Sequence, residues 1–188
     1  MNIFKNYRRW RHSKGYGVHS PFAYRFVTTV IRPGCYGYYS YWEIDDQLKG
    51  KEKNNNKFLR LIRFTIRVSV FLKIKRIVSL SGSRLSEITA RALNLTLINL
   101  NSQKDYEFQE GDLFIIEKEV KAELLRRAIQ DKTPVLAINP DTQARDILKT
   151  PMERGLLLND KNMIILIPRQ EMAYISYDII LNIRQCLT

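Results

Sequence analysis

The chain has 188 residues, of which 45% are hydrophobic, and a formal net charge of +12. This length allows one domain with a small appendage, and this composition allows an ordinary hydrophobic core, so we expect a compact soluble body. The two cysteines, Cys35 and Cys186, lie far apart, which excludes a disulfide framework and the paired spacing of a zinc site.

The sequence contains neither a secretory signal nor a segment that would cross a bilayer cheaply. The basic residues of the first 15 positions are not followed by an uninterrupted apolar run. The most apolar later stretch, 58–74, is interrupted by Arg60, Arg63 and Arg67. We therefore expect a cytoplasmic protein without metal ligands.

The positive charge belongs to the N-terminal part of the chain. Residues 1–76 hold 17 Lys and Arg against 4 Asp and Glu, a balance of +13, whereas residues 77–188 hold 14 against 15, a balance of −1. Such a field attracts polyanions or anionic membrane surfaces. It also occurs on proteins whose charge serves solubility alone.

The first 56 residues read as a basic helical region. Ser20 as a cap, Pro21 at the first helical position and apolar residues at helical spacing predict a helix over 20–31. A second helical segment is predicted over 38–48, and the polar stretch 49–57 reads as an exposed connector. Apolar positions at helical spacing then predict a long helix over 57–72.

From position 57 to the end, the pattern predicts an α/β domain. Short apolar runs at 76–81, 96–100, 113–117 and 134–139 alternate with helical segments, which indicates parallel strands covered by helices. Leu80 and Ile116 are expected in the core. Two further β-rich runs, 163–167 and 172–178, are separated by only a few residues, which favours an antiparallel hairpin.

Several segments resemble, in order, those of one family. These are "GYGVHSPFAYRFVTTVI", "YYSYWEID", "FLRLIRF", "RIVSLSGSRLSEITARAL", "VLAINPDTQARDILKTPMERG" and "MIILIPRQEMAYISY". They resemble successive blocks of a class I S-adenosylmethionine-dependent methyltransferase-like family of Bacteroidetes, in which "HGVHSPFVY" opens a helical region. The string "GVHSPF" is the most specific of these matches. The resemblance implies a Rossmann-like methyltransferase sheet, mostly parallel with a C-terminal antiparallel hairpin.

The resemblance also implies where S-adenosylmethionine would bind. In the family, the cofactor lies against the loop after the first strand and a carboxylate at the end of the second strand. The corresponding residues here are Ser79, Ser81, Gly82, Ser83 and Asn99. Glu117 completes the candidate set because it follows the third predicted strand at the same edge of the sheet. The loop after the first strand has one glycine, Ser79 stands where the family has a glutamate, and Asn99 and Asn101 replace the carboxylate. An amide lacks the charge that strengthens hydrogen bonds to ribose hydroxyls.

The short segment between the second and third predicted strands also indicates weakened cofactor binding. Only "NSQKDYEFQEG" lies there, too short for the helix, strand and helix that the family has at this place. We therefore expect a shortened, degenerate methyltransferase-like protein, a pseudoenzyme with weak or no cofactor binding.

Four polar residues, His19, Glu117, Glu119 and Asp141, each have a structural and a functional interpretation. His19 either holds the start of the helix at Ser20 or lines a pocket, and His12 lies beside no recognisable nucleophile. Glu117 and Glu119 follow a strand, either at an active edge or in a solvated turn. Asp141 has a similar position, or else caps the helix that follows it.

The N-terminal arginines Arg8, Arg9 and Arg11 are interleaved with aromatic residues in "YRRWRHSKGYG". Guanidinium groups hold phosphates and aromatic rings stack on exposed bases, so the second hypothesis is a noncatalytic module that binds nucleic acid. One alternative is that the tyrosines pack this region onto the sheet. A separate possibility is that Arg60, Arg63 and Arg67, in "FLRLIRFTIR", lie on an anionic membrane.

Overall fold

A computed structural model describes residues 3–32, 44, 48, 55–80, 83–100, 106–117 and 119–180. The helices are α1 (Ile3–Ser13), α2 (Pro21–Phe26), α3 (Asn56–Phe71), α4 (Arg84–Ala92), α5 (Ala122–Gln130) and α6 (Thr142–Lys149), and α2 continues into a π-helical segment, Val27–Ile31. The strands are β1 (Arg76–Ser79), β2 (Thr96–Asn99), β3 (Asp112–Ile116), β4 (Val135–Ile138), β5 (Gly155–Asn159), β6 (Met163–Pro168) and β7 (Ile175–Asp178). The chain is thus an α/β protein, as predicted.

All seven strands form one sheet in the order β2-β1-β3-β4-β6-β5-β7. The four strands predicted to be parallel are parallel, with Ser79 paired in register with Asn99 on one side and Ile115 on the other. Strand β6 runs antiparallel to both of its neighbours, β4 and β5. The carboxyl ends of the other six strands therefore meet at one edge, which we call the carboxyl edge, and their amino ends form the amino edge.

The predicted hairpin of 163–167 with 172–178 is wrong. β6 forms its hairpin with β5, across residues 160–162, and β7 pairs in parallel with β5 instead. Strand β5 was not predicted, because its sequence, GLLLN, is short and buried on both faces and so shows no alternation. Since β5 occupies the place beside β6, β7 can only join the sheet beyond it.

Helices cover both faces of the sheet. Helices α2, α3 and α4 and the π-helical segment pack on one face, where Phe26 meets Phe71 edge to face at 5.2 Å. Helices α5 and α6 pack on the other face. Residues alternate between the two cores along each strand, as Ile77 and Val78 do in β1, because successive side chains of a strand point to opposite sides. Ile116 is fully buried as expected, while Leu80 is half-buried.

The N-terminal helices agree with the sequence in part. Ser20 caps α2 by accepting a hydrogen bond from the Ala23 amide, as predicted. Helix α1 was not predicted, because the side that it turns toward the protein carries Arg9, His12 and Ser13 and therefore has no apolar periodicity. The predicted helix at 38–48 lies mostly outside the described residues. The domain boundary at position 56 stays a prediction.

Candidate functional site at the carboxyl edge

The carboxyl edge contains the point where the order of the strands reverses. From β1 the chain moves outward to β2 and then returns to β3 on the other side of β1. In open α/β sheets, ligands bind in the crevice outside the carboxyl ends of the two strands at such a reversal. The candidate site is therefore the crevice between the end of β1 and the end of β3.

A direct contact between side chains bridges this crevice. Ser83, after β1, donates its hydroxyl to a carboxylate oxygen of Glu117, which directly follows β3. A serine hydroxyl has one proton, and an ionised carboxylate is a stronger acceptor than a second hydroxyl. We therefore assign the 2.8 Å contact between Ser83 Oγ and Ser86 Oγ to a proton donated by Ser86.

Ser83 also begins the helix that follows it. Its Oγ accepts a hydrogen bond from the Ser86 amide at 3.0 Å, which makes it the N-cap of α4. Glu117 thus lies near the positive end of the α4 dipole, where a carboxylate is stabilised. One serine therefore both caps a helix and joins the two strands of the reversal point.

Ser79 and Asn99 form a second pair across β1 and β2. The Ser79 hydroxyl donates to Asn99 Oδ1 at 3.2 Å, and the two residues are register partners at the carboxyl ends of their strands. Ser79 is fully buried, whereas Asn99 is exposed. Four of the six predicted site residues, Ser79, Ser83, Asn99 and Glu117, therefore meet at one edge. Ser81 and Gly82 lie outside the described residues, as does Asn101.

The other predicted polar residues have structural contacts. Asp141 caps α6, with Oδ1 accepting from the Ala144 amide at 2.6 Å, and Glu119 is exposed. The His19 ring is exposed, and it is the His19 backbone amide that donates to the Tyr177 hydroxyl, at 3.3 Å. His12 contacts the ring of Tyr177 and lies 3.3 Å from the Asp178 carbonyl oxygen. The contacts of Asp141, His19 and His12 involve neither Ser83 nor Glu117.

The β5 and β7 end of the carboxyl edge is held by two arginines that sequence reasoning did not place there. Arg9 on α1 pairs with Asp160 at 2.6 Å and donates to the Ile179 carbonyl oxygen at 2.9 Å. Arg145 on α6 donates to Asn159 Oδ1 at 3.3 Å and to the Lys161 carbonyl oxygen at 2.8 Å. These contacts fasten two helices to the strand ends. Arg9 therefore differs from Arg8 and Arg11, which are exposed.

The amino edge carries a buried carboxylate, that of Asp112, and two cavities. The fully buried carboxylate of Asp112 accepts hydrogen bonds from Arg76 Nε at 2.6 Å and from the Tyr106 hydroxyl and the Gln109 amide, each at 2.9 Å. Burial and the bond to Asp112 raise the pKa of Tyr106 to about 12. Cavities of about 560 and 800 Å³ open at this edge and share a wall formed by 168–171.

The arrangement at the carboxyl edge has limited chemical capacity. A serine that donates to a carboxylate has no histidine beside it among the described residues to accept its proton, so no triad forms there. The described part of the chain also contains no cluster of three or more His, Cys, Asp or Glu suited to a metal ion, and no helix long and apolar enough to cross a membrane. The hydroxyl, amide and carboxylate groups are suited to hydrogen bonding of a polar ligand.

Comparison of the chain with protein-family models, with curated proteins and with solved structures gives no match.

Proposed function

We propose that the chain is a methyltransferase-like protein in which the cofactor edge is degenerate, so that S-adenosylmethionine binds weakly or not at all. The resemblance in its sequence segments is supported by the form of the sheet. Four parallel strands are followed by an antiparallel pair, and the strand order reverses between β1 and β3. A cytoplasmic location belongs to the same proposal.

The observation that carries this proposal is the Ser83 to Glu117 hydrogen bond. It joins the two sides of the crevice in which a nucleoside ligand of such a sheet would lie. A ligand that used Glu117 would have to replace a charge-assisted hydrogen bond that the protein already makes. The contact therefore opposes binding at the place where the fold favours it.

The end of β2 supports the same conclusion. A ribose is held best by a carboxylate there, and this chain offers the neutral amide of Asn99, whose Oδ1 already accepts from Ser79. The structural role of these residues is clear without a ligand, because they connect β1, β2 and β3. We infer that the carboxyl edge has retained its strand arrangement and has lost most of its affinity for S-adenosylmethionine, as in a pseudoenzyme.

A thermal-shift titration tests the proposal with a matched variant. Wild-type protein should show a negligible change in melting temperature with millimolar S-adenosylmethionine, since only bound ligand stabilises the folded state. Asn99→Asp restores a charge at an exposed position and should give a larger shift than wild type. A shift of several degrees for wild type at tens of micromolar ligand would contradict the proposal.

A second candidate function, the binding of an anionic polymer, is favoured by the composition of the N-terminal part. The first 42 residues contain no Asp or Glu, and Lys5, Arg8, Arg9, Arg11, Lys14, Arg25 and Arg32 lie among them. A surface with this charge attracts polyanions over a distance set by the ionic strength. This candidate does not involve the crevice between β1 and β3, so the two functions can be tested independently.

A further inference from the structure

The outer face of α1 carries exposed aromatic rings and cations together. We define this face by Phe4, Tyr7, Arg8, Trp10 and Arg11, which lie on the side of the helix opposite Arg9, His12 and Ser13, together with Lys14, which directly follows the helix. Phe4 is 84% exposed, Tyr7 56% and Trp10 40%. Three large rings exposed on one short helix have no role in the core, which indicates a surface that contacts another molecule.

Some of these rings are already fixed in position. Tyr7 stacks on Trp10, with ring centroids 5.9 Å apart and planes 24° apart, and the Lys14 ammonium lies 3.9 Å from the centre of the Trp10 ring. Side chains that are already ordered lose less conformational entropy when a ligand binds, so binding costs less free energy. Phe4 and Tyr7 present the most ring surface to solvent.

The charge of this face selects an anionic partner. Arg8 and Arg11 are exposed, and no acidic residue lies between positions 1 and 42 to compete for them. Arg9 does not belong to this surface, because its guanidinium group is bound to Asp160 and to the Ile179 carbonyl oxygen. Of the three arginines within positions 8–11, Arg9 thus holds the helix in place, whereas Arg8 and Arg11 face solvent.

The mixing of rings and cations distinguishes a nucleic acid from a membrane. A helix that lies on a membrane separates its apolar side from its charged side. Here Phe4, Tyr7 and Arg11 follow one line along the helix, and Lys14 comes directly after its end, so burying the rings in lipid would also bury charges. A rise of about 1.5 Å per residue puts Tyr7 and Arg11 roughly 6 Å apart along the axis, so rings and charges alternate at short intervals.

We propose that the outer face of α1 binds single-stranded nucleic acid, with Phe4 and Tyr7 stacking on exposed bases and with Arg8, Arg11 and Lys14 neutralising phosphates. Base stacking on aromatic side chains tolerates any sequence, and phosphate contacts do not read bases either. This inference rests on the second candidate function and adds to it the kind of polymer and the residues that select it. Duplexes should bind more weakly, because their bases are stacked on one another.

Fluorescence anisotropy with a labelled oligothymidylate of about 12 nucleotides tests the proposal between about 50 and 200 mM salt. Phe4→Ala with Tyr7→Ala should weaken binding at least about tenfold and leave the salt dependence unchanged. Arg8→Ala with Arg11→Ala should reduce the log-log slope by about 1.4, two phosphates at about 0.7 each. All four residues are exposed, so both variants should melt as wild type does.

A matched control removes the same charge elsewhere. Arg126 and Lys149 are exposed on α5 and α6, and Arg126→Ala with Lys149→Ala should leave the affinity and the slope close to those of wild type. An equal loss of affinity in this control and in Arg8→Ala with Arg11→Ala would show attraction by net charge alone. That result would overturn the proposed surface.

The remaining outcomes distinguish failure of the proposed nucleic-acid surface on α1 from failure of the more general candidate function, the binding of an anionic polymer. If polyphosphate binds as tightly as the oligonucleotide and Phe4→Ala with Tyr7→Ala has no effect, polyanion binding stands and the stacking surface is wrong. If neither polymer binds at about 50 mM salt, both are wrong. Binding to vesicles rich in phosphatidylserine without binding to the oligonucleotide would assign the face to membranes and overturn the proposal.

Discussion

The two edges of the sheet use their polar residues differently. At the amino edge, Asp112 is fully buried and satisfied by Arg76, Tyr106 and Gln109, and two cavities open beside it. At the carboxyl edge, neutral or half-buried groups bond to one another across the strand ends, as Ser83 does with Glu117. A shifted pKa and a cavity often mark an active site, and both occur here at the amino edge. Open α/β sheets, in contrast, bind their ligands at the carboxyl edge.

This difference separates the place that the sheet topology favours for a ligand from the place where the buried carboxylate and the cavities lie. The Asp112 network joins β3 to the start of β1 and to the segment before β3, and all of its bonds are internal. The carboxyl edge has the topology of a site, and its internal hydrogen bonds occupy the groups that a ligand would need. We infer that the Asp112 network stabilises the fold, and that the carboxyl edge has the topology of a binding site but few groups left to bind a ligand. Substitutions at each edge test these two inferences.

The largest effect is expected at the amino edge. Asp112→Ala removes a buried carboxylate and leaves Arg76, Tyr106 and the Gln109 amide without their acceptor, so we expect a loss of about 3 kcal/mol in the free energy of unfolding. Urea denaturation measures this loss. Asp112→Asn keeps the size and part of the hydrogen bonding and should lose less. Wild-type stability for Asp112→Ala would show that the network does not stabilise the fold.

The Asp112 network also makes the free energy of unfolding depend on pH, through Tyr106. Burial first, and the hydrogen bond to Asp112 second, raise the pKa of Tyr106 from about 10 to about 12. A group whose pKa is raised by folding contributes stability that is present below the unfolded pKa. The contribution of Tyr106 is therefore lost as the pH rises from about 10 to about 12, and in Asp112→Ala the tyrosinate should form at a lower pH.

An intermediate effect is expected where α1 is attached to the carboxyl edge. Arg9→Ala removes the bond to Asp160 and two bonds to the Ile179 carbonyl oxygen, and should lower the free energy of unfolding by about 2 kcal/mol. Arg8→Ala is the control, since Arg8 is exposed and should cost less than about 0.5 kcal/mol. Equal losses in the two variants would mean that Arg9 does not hold the helix.

A smaller effect is expected at the reversal point of the strands. Ser83→Ala removes the N-cap of α4 and the bond to Glu117, and should lower the free energy of unfolding by about 1 kcal/mol. Ser83→Asn keeps a capping oxygen and should recover most of the loss. If Ser83→Asn is as unstable as Ser83→Ala, the bond to Glu117 rather than the cap accounts for the loss.

The sequence predicted the parts of this fold that depend on local patterns. The parallel strands β1 to β4 follow from short apolar runs between helical segments, and the caps at Ser20 and Asp141 follow from residue type and position. The strands that pair with β6 and with β7 could not be predicted in this way. This pairing depends on β5 lying beside β6, which is a competition among strands distant from any local signal.

The candidate site was predictable as a location and less so as a set of contacts. The ends of β1, β2 and β3 come together because parallel strands share an edge, so Ser79, Ser83, Asn99 and Glu117 were found from the sequence. The Ser83 to Glu117 bond depends on the rotation of two side chains. Arg9 was assigned to nucleic-acid binding because it stands among arginines and aromatic residues in the sequence, whereas its position on the helix turns it toward Asp160.

Isothermal titration of the wild-type protein with S-adenosylmethionine, and then with S-adenosylhomocysteine, tests the central claim most directly. We predict no measurable heat of binding with ligand at millimolar concentration, because the crevice between β1 and β3 is bridged by Ser83 and Glu117 and the end of β2 has no carboxylate. Saturable binding of either ligand with a dissociation constant of tens of micromolar or less would contradict the account.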